Sequence, residues 1–148
     1  MGIKIIAKHK RATFDYSILE TFEAGLMLAG TEVKVLRMGK VNIAESHIDI
    51  KNDEAYIMNM NIPHYDFGNQ FNHEEKRTRK LLLNKKEIQT LKHRMKSESL
   101  AIIPLKIYFK KSLVKIEIAL GKGKKNHDKR QDQAKKDVER KLQKRQYD

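Results

Sequence analysis

Two apolar runs flanking Lys110-Lys111-Ser112 leave this chain few choices of fold. Ile103, Leu105, Ile107 and Phe109 recur at every second position in the first run, and Val114, Ile116, Ile118 and Leu120 in the second. A period of two places each set on one face of an extended strand, whereas a helix would scatter it around the axis. The short charged link predicts an antiparallel hairpin with one buried face. Pro104 lacks the N–H that a ladder uses, so it is expected at an edge or a bulge.

The preceding segments supply partners for that hairpin. Ile48 and Ile50 share one face of a strand, and Tyr56, Met58 and Met60 share one face of the next. Asn52-Asp53-Glu54 lies between them as a tight polar turn, and Pro63 ends the regular stretch. Residues 14–29 fit two periods. Phe14, Tyr16, Ile18, Phe22, Ala24, Leu26 and Leu28 alternate, while Phe14, Ile18, Phe22 and Leu26 are also spaced i, i+4. The aromatics, Thr21 and the interior Gly25 favour a long bent strand. A short helix is expected from about Glu32 to Met38, capped by Thr31, ended by Gly39, and burying Val33 or Val35 with Leu36. A second follows the capping box Asn84–Glu87, with Ile88, Leu91 and Met95 inward. Five or six antiparallel strands and two short helices make a mainly β chain, and a small, partly open barrel over residues 1–120 accommodates them.

Charge then separates the last residues from the rest. The 148-residue chain carries net +13, and residues 121–148 hold 11 Lys or Arg against 5 Asp or Glu, about half of that excess. Val138 and Leu142 are the only aliphatics larger than alanine in this segment. So basic a chain calls for a polyanionic partner, in the first place nucleic acid. Ala134, Val138 and Leu142 form a thin i, i+4 stripe. Asp132–Lys136 and Asp137–Lys141 are pairs worth about 0.2–0.5 kcal/mol each, too little to hold an isolated helix in water. The tail is therefore expected to be disordered when free and helical against a polyanion.

The search for chemistry is otherwise short. With no cysteine, disulfides and thiolate chemistry are out. No apolar run nears the ~20 residues of a membrane span, and MGIKII is too short for a signal segment, so a soluble cytoplasmic protein is the expectation. Among six histidines none are spaced as helical ligand pairs, and His64 and His73 read as surface loop residues. GKGKK lacks the spacer and terminal hydroxyl of a P-loop. No catalytic residue, metal or cofactor is expected. Arg77, Arg79 and Lys80 in KRTRK read either as a solvated rim or as a grip on phosphate or an unstacked base. Tyr65, Phe67 and Phe71 lie just upstream and could stack on bases or pack.

HKRATFDY (9–16), FEAGLMLAGTEVKVLRMGKVNI (22–43), RTRKLLLNKKEI (77–88) and KGKKNHDKR (122–130) occur in this order. Together they resemble the SsrA-binding protein family of bacterial trans-translation over nearly the whole chain. The resemblance implies an oligonucleotide-binding-like (OB-like) barrel with residues 14–29 as strand. It also implies binding to the tRNA-like domain of transfer-messenger RNA and delivery of that RNA to stalled ribosomes. Glu23, Leu82 and Asn84 would touch the RNA, joined by His9, Lys10 and Arg11 and by Arg77, Arg79 and Lys80. His9 stands where the family usually has Asn. Lys122, Gly123, Lys124, Lys125, His127, Asp128, Lys129 and Arg130 would lie near the decoding centre of the small subunit. Lys135, Lys136 and Arg140 would follow into the empty messenger channel. No membrane and no small-molecule substrate is implied. A general single-strand-binding barrel and a basic ribosomal structural protein are the alternative readings.

Overall fold

The computed structural model describes residues 2–67 and 72–124. In chain order the elements are β1 (Ile3–Lys8), α1 (Ala12–Asp15), β2 (Tyr16–Leu26), α2 (Gly30–Arg37), β3 (His47–Lys51) and β4 (Glu54–Met58). Then follow β5 (Arg79–Leu82), α3 (Lys85–Glu98), β6 (Ala101–Lys110) and β7 (Leu113–Gly123). All strand pairs are antiparallel. The order β6-β3-β4-β5-β2-β7 returns to β6 through the β6–β7 hairpin, so six strands form a closed ring, and β1 is added beside β6. Closure leaves none of the six with a free edge. The expected barrel is thus present, and the elements that the pattern did not name are β1, α1 and β5.

The ring encloses Ala24, Ile48, Ala55, Ile57, Leu81, Ile102, Ile107, Ile116, Ile118 and Leu120. Val35 and Leu36 of α2 and Leu91 of α3 join the same core. Two phases differ from the sequence reading. Register pairs Ile48 with Ile57 and Ile50 with Ala55, so β4 turns Ala55 and Ile57 inward instead of Tyr56 and Met58. Met60 is still buried, because Asn59 at φ +64 resets the alternation. In β6 the ladder skips at Leu105, directly after Pro104. The bulge expected from the proline is there, and it reverses the strand's faces. Ile102 and Ile107 point into the main core, while Ile103 packs with Ala12 and Ala119 in a second small cluster.

Helix α2 begins two residues earlier than expected. Ala29, not Thr31, is the N-cap, and the Ala29 N–H donates to Glu32 Oε1 at 2.8 Å. Thr31 instead meets Nδ1 of His73 at 2.9 Å, and Nε2 of His73 lies 2.8 Å from the Ile62 carbonyl. With only 7% of its surface exposed, His73 is a buried link between α2 and the segment after β4, not a surface loop residue. Gly39, at φ +77, closes the helix as expected. Helix α3 has the capping box the sequence indicates, with Asn84 Oδ1 accepting from Glu87 N at 2.9 Å and Glu87 Oε1 from Asn84 N at 3.1 Å.

Two hairpins use two-residue turns in which both residues have positive φ. In the β3–β4 turn they are Asn52 and Asp53, types that tolerate this region. In the β6–β7 turn they are Lys111 (φ 51) and Ser112 (φ 66). Neither is a favoured type, and the left-handed region costs such residues roughly 1–2 kcal/mol each.

One charged cluster lies inside the fold. Glu32 and Arg79 have no exposed surface, and the Arg79 Nε–H donates to Glu32 Oε2. Arg79 also donates to the carbonyls of Met60 (2.6 Å), Arg77 (3.1 Å) and Glu75 (3.0 Å). Arg77 reaches Glu32 Oε1 at 2.6 Å. Burial pushes the Glu32 carboxyl up, but hydrogen bonds from Arg77, Ala29 N–H and Arg79 outweigh it and hold it below the carboxylate range. Glu32→Gln is expected to cost about 3–5 kcal/mol in urea unfolding, because Arg79 is left buried without its counter-charge. A group with a depressed folded value stabilises above its unfolded value and loses that contribution as pH falls through the folded one. Wild-type stability should therefore fall as the medium is acidified below about pH 4.3, and the Gln variant should show a shallower acid limb.

Candidate nucleic-acid interface

β2 carries candidate residues at both ends. Near its C-terminal end Glu23 and Gly25 share one face, since they are two residues apart. Gly25 pairs with Leu82 of β5, and a Cβ on Gly25 would lie 3.3 Å from Leu82 Cβ, so only glycine lets β5 approach this closely without a shift. Leu82 is 51% exposed, an apolar side chain facing water beside a carboxylate. Two residues on, Asn84 caps α3. The cap uses its Oδ1, and no described residue takes its side-chain N–H groups, which remain available as donors.

Glu23 is not a loose surface glutamate. Tyr108 of β6 is 2% exposed, and its hydroxyl donates to Glu23 Oε2 across β7. Lys110 Nζ lies 3.4 Å from both carboxylate oxygens. The Tyr108 hydrogen bond, helped by Lys110 and the charge of Lys115, lowers the Glu23 pKa below its ordinary value. The Tyr108 hydroxyl is shifted upward by burial and by Glu23, so it stays a donor at any working pH. Lys106 extends the network, 3.8 Å from Glu117 Oε2 and with Nζ 5.7 Å from the Tyr108 ring centroid. What results is a fixed, ionised acceptor set among lysines, beside an exposed leucine and a free amide. Such a surface can read donor groups on a base edge while its cations meet phosphate.

The KRTRK cluster is distributed differently. Arg77 and Arg79 point the same way, but the direction is inward, toward Glu32, and not to a solvated rim or a phosphate grip. Arg79, fully buried, is removed from any RNA surface. Arg77 keeps 38% of its side chain exposed, and Lys80 is paired with Glu54 at 2.8 Å. Upstream, Tyr65 packs on the core and Phe67 stands 77% exposed; Phe71 lies outside the described residues.

His9, Lys10 and Arg11 sit at the other end of β2. His9 N donates to the Leu105 carbonyl at 2.7 Å and its Nδ1 meets the Pro104 carbonyl at 3.0 Å, so the ring is fastened to the β6 bulge. Lys10 is exposed, and Arg11 lies over the Phe14 ring at 5.0 Å. Here the basic tail begins. β7 continues to Gly123, which pairs with Tyr16, and Lys124 bonds the carbonyls of Asp15 (2.9 Å) and Thr13 (2.8 Å). Lys122, Gly123 and Lys124 are thus part of the barrel's rim, three or four residues past the expected boundary at 120. They stand with His9–Arg11, not with Glu23, from which Tyr16 is separated by roughly 20 Å of strand. Lys125, His127, Asp128, Lys129, Arg130, Lys135, Lys136 and Arg140 lie outside the described residues. Among the described residues no cluster could hold a metal ion, and no helix is long and apolar enough to cross a membrane.

Tyr108 and Lys110 were missed by the sequence reading, although a signal was there. Lys106, Tyr108 and Lys110 alternate on one face of β6, opposite the face of Ile107 that meets the main core, and an aromatic between two lysines is the mark of that face.

Known proteins resemble this chain over nearly its whole length. The family model described as SmpB protein matches residues 6–148. The SsrA-binding protein of Pelotomaculum thermopropionicum is 51% identical over 142 residues, covering 96% of this chain and 93% of that one. That of Thermosipho africanus is 52% identical over 141 residues, covering 95% of each. A chain from the solved structure "tmRNA-SmpB: a journey to the center of the bacterial ribosome" is 42% identical. It superimposes with a TM-score of 0.67, covering 81% of this chain and 85% of that chain.

Tyr108→Phe removes the hydroxyl that holds Glu23 and leaves the ring. The Glu23 carboxyl, followed by carbon-detected NMR titration, is expected to move back up toward its ordinary value, and Lys110→Ala should move it less.

Proposed function

The chain belongs to the SmpB family, and from that membership we propose that it is a non-catalytic RNA-binding adaptor for ribosome rescue. It binds the tRNA-like domain of transfer-messenger RNA and carries that RNA to stalled ribosomes in the cytoplasm, standing in for an anticodon arm. Relatives named for SsrA binding and a solved neighbour with transfer-messenger RNA support this reading. On the molecule itself one observation carries it: the Glu23 carboxylate, fixed by Tyr108 among lysines, beside exposed Leu82 and the open amide of Asn84. A carboxylate would repel a polyanion unless it accepts hydrogen bonds from bases, and here it is ionised and partly exposed beside Lys110.

The rim formed by His9–Arg11 and Lys122–Lys124 starts the second arm of the adaptor. The described chain reaches Lys124 at that end, far along β2 from Glu23, and in this reading residues 125–148 serve the small-subunit messenger channel near the decoding centre. The two partners thus meet opposite ends of one strand, and both can be held at once.

Glu23→Ala should weaken binding to the tRNA-like domain about tenfold in gel-shift assays, the range for a hydrogen bond to a charged group. Asn84→Ser keeps the helix cap but removes the free N–H donors, and should also weaken binding. Unchanged affinity for both folded variants would contradict the assignment. A chain ending at Lys124, which keeps all of β7, should bind the RNA as the full chain does and fail to support tagging on stalled ribosomes.

A further inference from the structure

An open pocket of about 500 Å3 lies beside the β6–β7 turn, lined by Gly2, Lys4, Arg37, Phe109, Lys111 and Ser112. None of the residues so far assigned to RNA or ribosome lines it. Lys4 comes from β1, Arg37 from the end of α2, and Lys111 from the turn, so three elements converge their cations here. All three side chains are exposed, and none forms an ion pair with a described residue. Several other cations on the barrel are spent on carboxylates, such as Lys80 on Glu54, Lys92 on Asp53 and Arg94 on Glu20 and Glu98. Among the described residues no acidic one lines the pocket. Phe109, half-buried and backed by the core, supplies its apolar side.

The turn gives a second, independent sign. Lys111 and Ser112 both hold left-handed backbone that favours Asn or Gly, as the Asn52-Asp53 turn of the other hairpin nearly provides. Strain kept in place by a folded protein points to a task for the residues that bear it. At this turn the strained pair presents an ammonium and a hydroxyl to the pocket, which an Asn-Gly turn would not.

We propose that the pocket of Lys4, Arg37, Lys111, Ser112 and Phe109 binds one unstacked nucleotide of an RNA strand. Its phosphate meets the three cations and the Ser112 hydroxyl, and its base stacks on Phe109. A volume of this size suits a ligand of about one nucleotide, and pairing cations with an aromatic plate is the usual chemistry for an unpaired base. The nucleotide belongs to transfer-messenger RNA or to ribosomal RNA. The inference rests on the adaptor reading above and extends it to a site on the far side of the β6–β7 hairpin from Glu23.

The test replaces the turn by its preferred residues, Lys111→Asn with Ser112→Gly. As a merely structural turn it would gain by this, so thermal stability should rise. The proposal requires RNA affinity to fall all the same, roughly threefold to tenfold. The log–log salt slope should shrink by about 0.7–0.9, the loss of one phosphate contact. Lys51→Asn, an equal charge change at the other hairpin, should do neither. Phe109→Leu, checked for folding by circular dichroism, should weaken binding about fivefold with the salt slope kept, since only stacking is lost. Gel shifts with the tRNA-like domain and cosedimentation with ribosomes tell which RNA supplies the nucleotide. A more stable turn variant with undiminished affinity in both assays overturns the proposal. Where Glu23→Ala weakens binding and the turn variant does not, the pocket alone fails; where neither does, the adaptor reading fails with it.

Discussion

A buried carboxylate organises one side of this barrel. Glu32 starts α2 by accepting the Ala29 N–H, and the same side chain receives Arg77 and Arg79. Arg79 then fixes the carbonyls of Met60 and Glu75, so one ion pair joins a helix, strand β5 and the irregular stretch that leads into it. A buried pair of this kind adds little net stability, but removing one member leaves an uncompensated charge. Its effect is placement. With Arg79 locked at the start of β5, Leu82 falls opposite Gly25 and Asn84 falls at the N-terminus of α3.

β2 distributes the functional surface that follows from this placement. Its C-terminal half presents Glu23 to Tyr108 and Lys110, and its first residues pair with the last of β7, where the basic tail leaves. In the proposed function the side chains at the Glu23 end serve hydrogen-bond direction, and those at the Tyr16 end serve charge. The same division separates base readout from phosphate attraction at nucleic-acid surfaces in general.

Much of this was legible in the sequence, because alternation and capping are local. The β6–β7 hairpin, its bulge near Pro104, the capping box at Asn84 and the strand nature of most of residues 14–29 all follow from neighbours along the chain. Phe14 and Asp15, given to that strand, belong to α1, and residues 27–29, also given to it, lie beyond its end. The readings that failed depended on partners far away. Arg79 looks like a surface cation until Glu32, 47 residues earlier, takes it inside. His73 looks like a loop residue until Thr31 and the Ile62 carbonyl enclose it. Met60 was read on one face with Tyr56 and Met58, because the positive φ of Asn59, which breaks the alternation, leaves no mark that periodicity can read. Glu23 itself was named only through family resemblance; Tyr108, which explains how it serves, is 85 residues away.

In the proposed function transfer-messenger RNA binds at the Glu23 end of β2, while the Tyr16 end is kept for the tail. Backbone amide shifts of the labelled protein, recorded with and without the tRNA-like domain, test it most directly. The expected result is that the largest changes fall on Glu23, Gly25, Leu82 and Asn84, with Lys122–Lys124 nearly unmoved. Changes confined to His9–Arg11 and Lys122–Lys124, with none at Glu23, would contradict it.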